Sequence, residues 1–141
     1  MANLTDTVKL ILVAHELKND GSPTLIEAAV DMTGWAHATW ALLLGAVAAG
    51  AKVNMKIQES EDGSTGWADI TAKALAEVPD TGDDDEYVIE VPIVAASKRY
   101  QKPVLVVDDG APGADLCIIC ILSRRSDDVA AVATQDLGQV V

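Results

Sequence analysis

The sequence predicts an all-β protein: an antiparallel β-sandwich or jelly roll. Three observations point there. Apolar and polar residues alternate with period two in several short runs, as in VNMKIQ at residues 53–58. Turn signals built from Gly, Pro, Asn and Asp separate the runs roughly every 8–15 residues, giving about eight short strands. No long amphipathic helices alternate with those strands, so a βαβ arrangement is disfavoured.

In chain order, residues 8–17 (VKLILVAHEL) read as a strand, and Asn19-Asp20-Gly21-Ser22-Pro23 as a loop. Residues 24–32 alternate, with Ile26, Ala28, Val30 and Met32 on one face and Glu27 and Asp31 on the other, until Thr33-Gly34 breaks the run. Residues 36–49 are rich in Ala and Leu, which favours helix, but Gly45 and Gly50 favour a strand, placed at 38–45. Residues 52–59 form the cleanest strand. Residues 69–78 (DITAKALAEV) predict a short helix, since Ile70, Ala74, Leu75 and Val78 fall on one side. Residues 79–86 (PDTGDDDE) are a loop by composition. Residues 87–94 form a strand with Tyr87, Ile89, Val91 and Ile93 on one face. Pro92 cannot donate to a ladder and puts that strand at an edge or a bulge. Residues 99–107 form another strand, with Pro103 implying irregular pairing, and residues 115–123 the last. Residues 1–123 thus make one domain, and residues 124–141, weakly apolar without firm periodicity, a tail that packs on the domain or on a neighbour.

The chain has 141 residues, half of them hydrophobic, which suits one domain with a real core. It has no Phe, so that core is aliphatic. With 22 acidic against 10 basic residues the net charge is −12. Such a surface repels a polyanion, so nucleic acid is not an expected partner. The longest apolar run, residues 41–51, is about half the ~20 residues that span a bilayer. The first residues lack the basic start and cleavage site of a signal peptide. No membrane partner is expected, and synthesis in the cytoplasm is.

Residues 53–70 carry the most information. Strand VNMKIQES is followed by an Asp62-Gly63 turn, where Gly accepts positive φ, and by a second extended segment from Trp67. The pattern K-I-Q-E-S-x-D-G-S…W-x-D-I resembles one in small virion proteins of tailed bacteriophages. Lys98-Arg99-Tyr100-Gln101-Lys102-Pro103-Val104-Leu105-Val106-Val107 resembles the R-Y-x-K-hydrophobic strand of the same proteins, and WALLLG at residues 40–45 fits upstream. The matches span residues 35–107. The chain is therefore similar to capsid cement (decoration) proteins of jelly-roll type, such as that of a short-tailed Bordetella phage.

What the resemblance implies is a structural virion protein rather than an enzyme. It would be dimeric, sit on the outer capsid surface and bridge neighbouring subunits of the major capsid protein. It brings no catalytic residues and no cofactor. The acidic charge suits the outer face better than the lumen. Lys98, Arg99, Lys102, Arg124 and Arg125 are the main cations near the matched motifs, available for acidic groups on a capsid subunit or a second copy, or for this chain's own carboxylates. Pro92 marks a possible edge for strand addition, as do residues 2–7 and the tail.

Other chemistry is weaker. Asp80, Asp83, Asp84, Asp85 and Glu86 are dense enough for a hard cation, but lack the spacing of a calcium loop. Cys117 and Cys120 lie in an apolar strand, where residues three apart face opposite ways, and zinc would need a second pair of ligands. His15 and His37 have no nucleophile motif. Trp35, Trp40, Trp67, Tyr87 and Tyr100 allow one alternative, a carbohydrate-binding sandwich with rings exposed for stacking. Buried rings would count against it.

Overall fold

A computed structural model describes residues 8–18, 24–26, 28–80, 85–94, 96–108, 114–124 and 139–140. Among them are β1 (Val8–Lys18), β2 (Thr24–Ile26), β3 (Val30–Asp31), β4 (His37–Val47), β5 (Lys52–Ser60), β6 (Ala68–Ala74), β7 (Val78–Pro79), β8 (Glu86–Pro92), β9 (Tyr100–Asp108), β10 (Ala114–Ser123) and β11 (Gln139–Val140). No α-helix occurs among the described residues.

One sheet has the order β1-β10-β4-β8-β11. The other runs β2-β9-β5-β6, with β3 also on β9 and β7 also on β5. Since β2 and β3 share a partner, as do β6 and β7, each pair acts as one interrupted strand. Eight strands result, and all their pairings are antiparallel. The first pairs with the eighth, the second with the seventh, the third with the sixth and the fourth with the fifth. That is one long hairpin rolled into two facing sheets, the connectivity of a jelly roll. β11 is additional: it lies parallel to β8, with Gln139 opposite Tyr87 and Val140 opposite Val88.

The core is the space between the sheets. Ala38, Trp40 and Leu42 on β4 alternate inward with Ile89 on β8 and Ile118, Cys120 and Leu122 on β10. Val53, Met55, Ile57 and Leu105 meet them from the other sheet. Each such Leu, Ile, Val or Met contributes roughly 1.5–3 kcal/mol on burial, which is how a core without Phe is assembled. The sheets are also joined by a polar contact, in which the Trp40 indole N–H donates to Gln101 Oε1 across 3.2 Å of buried interior.

Two expectations are corrected. Residues 69–78 are not a helix. β6 pairs Lys56 with Ala74 and Gln58 with Asp69, so residues 70–73 form a bulge opposite Ile57 alone. Ala72 sits at φ 60° in that bulge. Ile70 is half-buried and Leu75 and Val78 are buried, so the apolar spacing that suggests a helix is met by a bulged strand followed by a break. Secondly, 24–32 is not one strand: it splits into β2 and β3, with Ala28 exposed while Val30 and Met32 stay in the core. Pro103 lies opposite that interruption, between the registers of Ile26 with Val104 and Val30 with Gln101, in keeping with the irregular pairing it implies. Pro92 agrees with its expected edge position: it ends β8 opposite His37, beyond the two residues of β8 that β11 covers.

Candidate functional site

The loops β3–β4, β5–β6 and β8–β9 converge at one end of the sandwich. Backbone hydrogen bonds tie the β3–β4 and β8–β9 loops to each other and to the end of β10: Met32 N–H to Arg99 O, Ala36 N–H to Ser123 O and Ile93 N–H to Ala36 O, each 2.8–2.9 Å. The residues of the sequence motif meet here, mostly as one another's partners.

The β5–β6 turn is held by Ser60 and Asp62. Ser60 is fully buried. Its hydroxyl donates to the Thr65 carbonyl and accepts from the Asp62 and Gly63 N–H groups. Asp62 Oδ1 accepts from the Ser64 and Thr65 N–H groups at 2.8 and 2.7 Å, and Oδ2 from Thr65 Oγ1 at 2.6 Å. These donors, the Thr65 hydroxyl first, hold the Asp62 carboxyl well below the usual carboxylate range. Gly63, at φ 74°, lies against the Tyr100 ring so closely that an added Cβ would stand 3.0–3.2 Å from three ring atoms.

The flanking strands continue the pattern. Lys56 Nζ and Gln58 Nε2 each reach Asp69 at 2.8 Å, and they lower its pKa, Lys56 more than Gln58. Glu59 Oε2 accepts the Lys98 N–H at 3.1 Å. The matched residues from Lys56 to Asp69 thus fix a turn and its two strands.

The structure gives four of the expected contact cations intramolecular partners, the Lys98 link through its backbone N–H alone. Arg99 makes a forked pair with Asp31, Nη2 to Oδ2 at 2.7 Å and Nε to both oxygens at 3.2 Å. With the Thr33 donors, it holds Asp31 far below the ordinary range. The Arg99 guanidinium also lies 5.0 Å from the Tyr100 ring centroid, Lys102 Nζ 4.1 Å from Trp67, and the Arg124 guanidinium 5.2 Å from Trp35. Every partly exposed ring of the motif region therefore has a cation over it. Arg125 lies outside the described residues. Pro92 is exposed and closes β8 at this same end.

The remaining candidates are dispersed. Asp80 accepts the Gly50 N–H at 2.7 Å and so caps a turn, while Asp83 and Asp84 lie outside the described residues. Among the described residues, no group of three or more His, Cys, Asp or Glu side chains could hold a metal. Both cysteines are free thiols. Cys120 is buried in the core, its thiol pushed up to about 12 by burial, and Cys117 is half-buried on the opposite face. The His15 side chain is not among those described. His37 is buried, and burial lowers its pKa.

Sequence reasoning missed Asp31, the anchor for Arg99. A D-x-T turn signal was available at Asp31-Met32-Thr33, but its long-range partner was not. It also missed a group of buried polar atoms without hydrogen-bond partners: His37 Nδ1, Thr39 Oγ1 and Glu90 Oε1, with Thr39 directly opposite Glu90 in register. Chemically, the converging end is a mixed-charge surface with half-exposed aromatics. No protein-family model matches the chain, and no curated protein matches it.

Proposed function

We propose that this chain is a structural virion protein that binds the outer surface of a phage head and cements neighbouring major capsid subunits. One observation carries the reading. The motif residues that resemble those of cement proteins are mutual partners in the Ser60–Thr65 turn and its flanking strands, and the chain has the jelly-roll connectivity that the resemblance implies. The motif builds a rigid turn at one end of the sandwich, as a binding scaffold requires.

The mechanism is mass action. A protein that binds only the assembled lattice stabilises it by RT ln(1 + [L]/Kd) per site. Repeated over many sites, this opposes the pressure of packaged DNA. The net charge of −12 favours the outer face. The sugar-binding alternative gains no support: Trp40 is fully buried with its N–H engaged, and Trp35, Trp67 and Tyr100 each have a cation over the ring.

The test is sedimentation of the purified chain with phage heads that lack it. Co-sedimentation that saturates at a fixed ratio to the major capsid protein supports the reading. A chain that stays in the supernatant across the titration refutes it.

A further inference from the structure

The chain leaves the first sheet at the end of β10 and returns to it at β11. These two strands point the same way, since β4 is antiparallel to both β10 and β8, and β11 is parallel to β8. They also lie on opposite sides of the β4–β8 pair. Parallel strands of one sheet are joined by a crossover of a dozen or more residues that passes over a face of the sheet. The inner face is filled by the core that the second sheet closes. That leaves the outer face. Ser123 stands in the row of His37 and Pro92, and Gln139 in the row of Tyr87. The return is therefore roughly 17 Å along the strands and roughly 14 Å across them. Residues 125–138 span it easily, whether over the face or round the end of the sheet.

Burial on the outer face decides the route. Thr39 lies between the inward Ala38 and Trp40, and Val88 between the inward Tyr87 and Ile89, so both point outward. Yet Thr39 is only 5% and Val88 only 4% exposed, and the outward His37 and Ser123 are buried with them. Thr39 Oγ1, His37 Nδ1 and Glu90 Oε1 are shut off from water on the same face. The second sheet lies on the other side and cannot cover them. Exposure then rises away from the two skipped strands. Ile119 and Ile121 on β10 are half-buried, and their neighbours on β1, Leu12 and Leu10, are 64% and 66% exposed. A segment running round the end of the sheet would leave Thr39 and Val88 as open as Leu10.

We infer that residues 125–138 cross the outer face of the first sheet of their own chain, over β4 and β8, and dock there. The chemistry of the face fits this occupant. Thr39, Ala41 and Leu43 on β4 and Val88 on β8 are uncharged, and so is the run Val129-Ala130-Ala131-Val132-Ala133 of the segment. The C-terminal region then belongs to the domain itself, and the part of this face left open is the strip of Leu10 and Leu12. The inference is independent of capsid binding, and its test uses the chain alone.

Thr39→Cys and Leu12→Cys are made separately in the full chain and alkylated with iodoacetamide, with and without Val129→Asp/Val132→Asp. Peptide mass spectrometry reads each site, and Cys120 in the core reports whether the sandwich is intact. The expected result is a protected Thr39→Cys thiol that reacts about tenfold or more faster once the aspartates are present, with Leu12→Cys and Cys120 unchanged. A Thr39→Cys thiol as reactive as Leu12→Cys, or one whose rate the aspartates leave unchanged, overturns the inference. So does protection that is lost on dilution of the chain with residues 125–138 unaltered, which would put a neighbour's segment on the face. If Cys120 also becomes reactive, Ala131→Gly/Ala133→Gly replaces the aspartates, and an unchanged Thr39→Cys rate then overturns the inference.

Discussion

Replacing Gly63 with Ala separates two costs that the turn combines. The first is backbone conformation. Gly63 is at φ 74°, where a Cβ costs roughly 1–2 kcal/mol, partly offset by roughly 0.4–1 kcal/mol from a stiffer unfolded chain. Gly34 and Gly50 share this term, at φ 82° and 80°, but an added Cβ there meets nothing within 4 Å. The second cost belongs to Gly63 alone. Its new Cβ would lie 3.0, 3.1 and 3.2 Å from Cγ, Cδ1 and Cδ2 of Tyr100, forcing a ring fixed on β9 to move. Overpacking of that kind costs roughly 1–3 kcal/mol. Gly34→Ala and Gly50→Ala should therefore lose about 1 kcal/mol each, and Gly63→Ala about 2–4 kcal/mol. In a Tyr100→Ala background the Gly63→Ala loss should fall back to about 1 kcal/mol. Urea unfolding followed by tryptophan fluorescence gives all the values. Equal losses at the three glycines, or a Gly63→Ala loss unchanged by Tyr100→Ala, would refute the packing argument.

Other perturbations follow from the same geometry. Gln101→Leu leaves the buried Trp40 N–H without an acceptor and should cost roughly 1–3 kcal/mol in urea unfolding, with a smaller cost in a Trp40→Phe background. Burial holds the His37 pKa below its usual 6.5 in the folded chain, so the unfolded chain takes up the proton first. Stability should then fall as pH drops below about 6.5, and His37→Gln should flatten the Tm profile between about pH 5 and 7. Asp31 and Asp62 shift in the same sense lower down: their contribution is present above the ordinary Asp range and lost as pH falls beneath it, more gently in Asp62→Asn. The thiol of Cys120, pushed up to about 12, should resist iodoacetamide in the native protein at about pH 8, as read by peptide mass spectrometry.

Most of the fold was legible because period-two alternation and Gly- or Pro-marked turns are local signals. β5 and its Asp62-Gly63 turn follow directly from VNMKIQESEDG. The misread segment, 69–78, shows the limit. Ile70, Leu75 and Val78 contact the core with a spacing that fits a helix. Only the Leu75 N–H to Met55 O bond and the bulge against Ile57 show that a strand delivers them. The candidate site was legible in its residues and not in its partnerships. Arg99 and Lys102 stood out as rare cations in an acidic chain, but Asp31 lies 68 positions from Arg99, and no local pattern links them.

The most direct test of the central claim is the disruption temperature of phage heads, measured with and without bound protein. Heads reconstituted with the chain should break open at a higher temperature than bare heads, with the shift rising to a plateau as sites fill. Heads that bind the protein to saturation yet break at the temperature of bare heads would contradict a cementing role.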